Sequence, residues 1–389
     1  MSTGINNVIV GGLAGDALTT GSNNIAIGRE ALGAEDTRGY NIAIGGYALQ
    51  DLNSAADGFN VAIGYSAGTE MTTGTYNTIL GTQAMGTGIT TGDYNVAVGY
   101  KAGDTITSGV RNTLIGTSAG DALTTGGYNV AIGMYALTAE DGHGKNVAIG
   151  YDALKVQNAG ADAYNVAVGY DAGLAMTIGS RNTIIGALAG DALTTGYYNT
   201  ALGYQALSSS QTGRNAVAIG YQALMTEAST DTETYNVAVG YRAGYLVSTG
   251  VQNVFIGGSA GDAYTTGGQS VGIGFEALST EDDHGGSTAI GYRALKMQDS
   301  GAANKNVAVG YNAGTNVTTG VESVFIGGGA GDAVTTASAN VAIGYNALST
   351  EDTMGNNVAV GYKALQDLNA GENGNTVAIG AEAGRRLST

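Results

Sequence analysis

Hydrophobic and polar positions follow one short phrase that returns along the whole chain: Asn-Val-Ala-Ile-Gly, with alanine three residues after the glycine. The glycine stands at Gly11, Gly28, Gly45, Gly64 and onward to Gly361 and Gly380, 22 times, mostly 17 residues apart and never more than 20. A short fixed period over a full chain predicts a solenoid, each repeat forming one coil stacked on its neighbours. The residue before the glycine is always Val, Ile or Leu, and the residue three before it is always Val, Ile or Thr. Two apolar positions with one between them have the period of a strand, and this pair is assigned to the solenoid interior. The intervening position is usually Ala (Ala26, Ala97, Ala167, Ala238) but large at Ile9, Ile79, Leu114, Ile184, Phe255 and Phe325. A strand apolar on both faces is covered on both. These six large residues are therefore expected on the outer face, buried against a neighbouring copy of the chain.

Flanking positions sharpen the picture of a coil. Four residues before the glycine stands Asn in 17 of the 22 coils, as at Asn24, Asn95, Asn165 and Asn253. Stacked asparagines can hydrogen-bond along a column, so their role is read as structural. Alanine three after the glycine is present in every coil, from Ala14 to Ala383, which predicts a crowded site. A longer period of 70 or 71 residues overlies the first. One coil type carries AGDALTTG or a variant. The next carries an acidic loop: GAEDTRG at 33, TAEDGHG at 138, STEDDHG at 279 and STEDTMG at 349. The third and fourth carry Ala-Leu and Ala-Gly after the strand, and only the coil at Gly81 falls outside the order.

Composition narrows the class. The 389 residues include 67 glycines and no proline, cysteine or tryptophan. The lack of proline suits a chain whose N–H groups are needed in ladders almost everywhere. Without cysteine there is no disulfide framework. Fifteen basic residues against 32 acidic ones give a net charge of −17. That balance disfavours nucleic acid and anionic membranes as partners. No run reaches membrane-spanning length and the N-terminus has no leader pattern. The expected architecture is an all-β parallel β-solenoid of about 22 coils of 17–20 residues, one continuous domain over 1–389.

NAVAIG at Asn215–Gly220, with the many NVAIGYxAL and TTGxYNVAIG strings, resembles the head repeats of trimeric autotransporter adhesins, and more closely the repeats of bacteriophage tail-fibre proteins. The resemblance covers essentially the whole chain. It implies a left-handed parallel β-roll, three chains around a common axis, and a structural or adhesive role in an extracellular filament or virion appendage. Two features depart from the adhesin pattern: the coil is longer, and no export signal, stalk or anchor is seen.

Candidate chemistry is sparse. Both histidines, His143 and His284, fall in acidic loops. Glu140, Asp141 and His143, or Glu281, Asp282, Asp283 and His284, could form a weak cation site. The loops at 33 and 349 lack the histidine, so these loops are read as solvated, with no metal, cofactor or catalytic residue expected. The aspartates Asp16, Asp121, Asp191, Asp262 and Asp332 are read as corner caps and surface charge. Tyrosine often follows the repeat glycine (Tyr65, Tyr100, Tyr170, Tyr241, Tyr311); such rows stack on each other or on sugars. The sequence thus predicts a homotrimeric fibre subunit that is not an enzyme, with a fibre binding host glycan as the alternative. Ice binding would need a regular threonine ladder that is absent here.

The two termini also match. GRRLST from Gly384, joined to GINNVIVGG from Gly4, reproduces the element GYLVSTGVQNVFIGG at 244–258. Placing Gly4 after Thr389 sets Gly11 17 residues beyond Gly380, with Met1 to Thr3 overlapping Leu387 to Thr389. Gly4, Ile5 and Asn6 with Arg385, Arg386, Leu387, Ser388 and Thr389 are thus expected at a head-to-tail junction that continues the coils into a filament.

Overall fold

A computed structural model of the chain describes residues 3–228, 233–301, 303–350, 353–368 and 374–387. Every named element is a strand of three residues, ending one residue before a repeat glycine. No helix is long and apolar enough to cross a membrane among the described residues. The chain is an all-β parallel solenoid in two units, Met1–Tyr197 and Tyr198–Thr389. The first unit holds β1 (Val8–Val10) to β11 (Thr183–Ile185), and the second β12 (Thr200–Leu202) to β22 (Val377–Ile379). Within each unit every strand pairs in parallel with the next in sequence, and equivalent residues stand opposite each other. Val8 faces Ile25 and Ile9 faces Ala26 in the first unit; Val217 faces Val237 and Ala218 faces Ala238 in the second.

The face assignment read from the sequence is reversed. The central strand residue is the interior one: Ala26, Ala97, Ala167 and Ala238 are fully buried within the single chain, and so are Ile79, Leu114, Ile184, Phe255 and Phe325. They are not available to a neighbouring copy. Ile9, in the first coil, is half-buried. The flanking Val, Ile, Leu and Thr positions face outward, with Ile63 36% and Leu80 45% exposed. The reason is the bore of the coil. Its interior is so narrow that alanine fills it at the strand centre and again three residues after the glycine, where Ala31, Ala48 and Ala67 are fully buried. Bulk on the strand alone therefore does not mark the inside.

Where a large residue does enter, glycine makes the room. Four residues after the repeat glycine the coils read Leu, Leu, Gly, Gly in turn, as in Leu137, Leu154, Gly173 and Gly190. Ile184 lies against that glycine pair, its Cδ1 3.4 Å from where a Cβ on Gly173 would be and 3.2 Å from one on Gly190. Phe255 lies between Gly244 and Gly261 in the same way, and Phe325 between Gly314 and Gly331. The four-coil period is thus a packing code in which two leucines alternate with two glycines that admit one large side chain.

The repeat glycine is required by close approach. Gly133 has φ +134°, and a Cβ there would stand 2.2 Å from the Gly150 carbonyl oxygen of the next coil. The asparagine column forms the expected ladder. Asn112 accepts the Asn129 backbone N–H on Oδ1 at 2.9 Å and donates from Nδ2 to the Gly126 carbonyl at 2.9 Å. Where serine replaces the asparagine at Ser270, the buried Tyr264 fills the space and bonds Ser270 Oγ at 2.6 Å.

Candidate functional site

Three surface features could carry function: the outward strand face, the aromatic rows beside it and the acidic loops. The strand face is a strip of Val, Ile, Leu and Thr side chains, repeated with every coil. Among its most exposed members are Leu202, Ile256, Ile290 and Ile326 in the second unit, beside Ile63 and Leu80 in the first. The terminal strands are barer still: Val8 and Val10 are about half exposed, and Val377 and Ile379 are 67% and 71% exposed.

Aromatic rows border the strip on both sides. On the side before the asparagine, Tyr40, Phe59, Tyr76 and Tyr94 stack with ring centroids 4.9, 5.1 and 5.0 Å apart. Arg111 continues this row, its guanidinium 5.6 Å from the Tyr94 ring and 5.3 Å from that of Tyr128. On the side after the glycine, Tyr204, Tyr221 and Tyr241 stack at 5.5 Å, and Phe275, Tyr292 and Tyr311 at 5.7 and 5.1 Å. The spacing is that of the coils, so inner rings such as Tyr221 and Tyr292 have both faces covered and offer only their edges. Rings that border a glycine in the row lack a stacked ring on that side: Phe275 flanks Gly258, and Tyr311 and Tyr345 flank Gly328, whereas Tyr241, also beside Gly258, has the Arg242 guanidinium 5.5 Å from its ring.

The acidic loops are not simply solvated, which corrects the sequence reading. Their glutamates Glu35, Glu140 and Glu281 are fully buried. They stand seven residues after the repeat glycine, the interior place that Leu18, Leu123 and Leu193 fill in other coils. Each turns one oxygen to cap its own loop: Glu35 Oε1 accepts the Arg38 N–H, Glu140 Oε1 the His143 N–H and Glu281 Oε1 the His284 N–H. The second oxygen differs. Glu35 Oε2 accepts from Ser54 Oγ at 3.3 Å, and Glu281 Oε2 accepts from Gln298 Nε2 and Asn304 Nδ2. Glu140 Oε2 is buried and makes no hydrogen bond. Burial holds the Glu140 carboxyl above its usual range and pushes Glu281 up to about 7. The fourth such glutamate, Glu351, lies outside the described residues. Burial likewise raises the half-buried Asp121, Asp191, Asp262 and Asp332, so these aspartates are more than surface charge.

At the proposed junction, Ile5 is 64% exposed and Leu387 42%. Gly4, Asn6, Arg385 and Arg386 lie in the end coils, while Ser388 and Thr389 lie outside the described residues. Arg385 is tied within its own coil to Glu382 and across to Asp367. The buried glutamates were missed because they sit in a charged corner; their register, seven residues after the repeat glycine, was the signal that marks them as inward.

No protein-family model matches the chain, and no curated protein matches it.

Proposed function

We propose that this protein is a structural subunit of an extracellular or phage-borne fibre, formed by lateral trimerisation and head-to-tail stacking of solenoids. The observation that carries the reading is the part-exposed, largely apolar strip, repeated at equivalent positions by successive coils within each unit. An apolar face of this kind is stabilised by burial against another surface at roughly 25 cal/mol per Å². With the face assignment corrected, the side chains that meet between chains are the outward Val, Ile and Leu positions and not Phe255 or Phe325. Stacking end to end is proposed from the phase of the repeat: GRRLST from Gly384 followed by GINNVIVGG from Gly4 continues the coil pattern.

A second reading, recognition of glycan along the fibre, is favoured at one kind of place. The half-exposed Phe275 beside Gly258, and Tyr311 and Tyr345 beside Gly328, have no ring stacked on the glycine side and could meet a sugar there. Inside the stacks no face is open.

Electron micrographs of the concentrated protein test the fibre reading. Filaments of constant width that lengthen with concentration are expected. Discrete particles of a single length at every concentration would refute head-to-tail stacking.

A further inference from the structure

We propose that a cleft beside Gly286 binds an acidic sugar of the uronate kind, a hydroxylated ring that carries a carboxylate. The cleft lies in the second unit, on the border of the strip that precedes the asparagine column. Five residues before the repeat glycine a side chain normally stands, and the stacked row from Tyr40 to Tyr94 is one stretch of this register. Among the 22 residues at the register Gly286 alone is glycine. A Cβ there would meet nothing nearer than Lys305 Cγ at 3.7 Å. With Gly268 and Gly285 beside it, the missing side chain leaves a cleft of about 350 Å³, within the range of small-molecule sites.

The same place also lacks a carboxylate that its equivalents have. In two other acidic-loop coils an aspartate of the next coil closes this corner. Asp57 Oδ1 accepts the Gly39 N–H and Asp162 Oδ1 accepts the Gly144 N–H, each at 3.2 Å. Asp162 also pairs with the Lys145 ammonium at 2.6 Å. In the coil of Gly286 the equivalent glycine is Gly285, and the residue 18 further on, where the aspartate stands in the others, is Ala303. The Gly285 N–H has no acceptor among the described residues. An open N–H at this register is not rare, since Val110 and Gly127 have one too. Here, however, a cation lines the same cleft: Lys305 is exposed and makes no ion pair among the described residues.

The hydrogen-bonding sense of the lining groups selects the ligand. Two donors, the Gly285 N–H and Lys305 Nζ, suit a carboxylate in the place that the Asp162 carboxylate holds in the first unit. In a chain of net charge −17 the unpaired Lys305 decides the sign of the ligand. Two acceptors suit hydroxyl groups. Gln269 donates from Nε2 to Gln252 Oε1 at 3.3 Å and keeps its own Oε1 open, and Thr266 Oγ1 donates to the Asp283 carbonyl and keeps its lone pairs. The glycine floor lets a ring approach the backbone closely. This cleft lies across the strip from Phe275, Tyr311 and Tyr345, and sugar binding in it does not depend on those rings.

The test is calorimetric titration of the whole chain with oligosaccharides ending in glucuronate, galacturonate or mannuronate, with their methyl esters, and with acetate. At least one of the acids is expected to bind, with its ester and acetate weaker by about tenfold or more. Lys305→Gln should weaken binding by a similar factor. Ala303→Asp, which restores the carboxylate seen beside Gly39 and Gly144, should abolish it by occupying the ligand's place. Both residues are exposed, so the variants fold. Phe275→Ala, Tyr311→Ala and Tyr345→Ala combined should leave it unchanged. The proposal is overturned if no acid binds, if esters or acetate bind as tightly as the acids, or if Lys305→Gln and Ala303→Asp leave binding as it was. Loss of binding in the triple ring variant alone would place the sugar on the rings and overturn it too.

Discussion

At the residue scale the chain is governed by what fits a bore one alanine wide. Carboxylates within it carry the clearest pH signature. Burial pushes Glu281 up to about 7, against an ordinary value of 4.5. Between those values the folded chain holds a proton that the unfolded chain releases, so stability from this group is full below about 4.5 and is lost as pH rises through about 7. Glu281→Gln cannot ionise, and keeps one acceptor oxygen for the donors His284 N–H, Gln298 and Asn304; it should therefore favour the fold more above neutral pH than below it. Relative to the unaltered chain, the variant is expected to be more favourable at pH 8 than at pH 4.5 by on the order of 1–3 kcal/mol. Denaturant melts at the two pH values check this, and an equal effect at both would contradict it.

At the element scale one strand, one glycine pair and one large side chain form the packing unit. Phe255→Ala removes the side chain that fills the space left by Gly244 and Gly261. It should destabilise the fold by about 3–5 kcal/mol, because the surrounding backbone is held by ladders on both sides and cannot collapse into the cavity. Chemical denaturation of the variant checks it, and a loss under about 1 kcal/mol would mean the coil relaxes. Much of this level was legible in the sequence. The repeat glycine located all the strands, and the asparagine column was read correctly as a ladder. The face was misread because strand bulk was taken to mean interior. In a coil this narrow, β-branched residues suit the outward positions and alanine the inward one. The inward direction of Glu35, Glu140 and Glu281 was also missed. That placement follows from their register seven residues after the glycine, an inward column held mostly by apolar residues elsewhere (Leu123, Met176, Val247) but also by polar ones (Gln157, Ser210, Gln298) and by a further glutamate, Glu227.

At the scale of the whole molecule, the central claim is that the outward Val, Ile and Leu strip joins chains side by side. This places the interface on side chains that the described residues leave part-exposed, and it separates assembly from folding. A change on the strip should alter the oligomer and leave the coil intact, whereas a change at Phe255 should weaken the coil without altering which face associates. The direct measurement is sedimentation equilibrium of the unaltered protein and of a variant combining Ile63→Lys, Leu80→Lys, Leu202→Lys and Ile256→Lys, four exposed strip positions. The account predicts a mass of three 38.7 kDa chains, or whole multiples of it, for the unaltered protein. For the variant it predicts a single chain with an unchanged far-ultraviolet circular dichroism spectrum. A monomeric unaltered protein, or a variant that keeps the same mass, would contradict it.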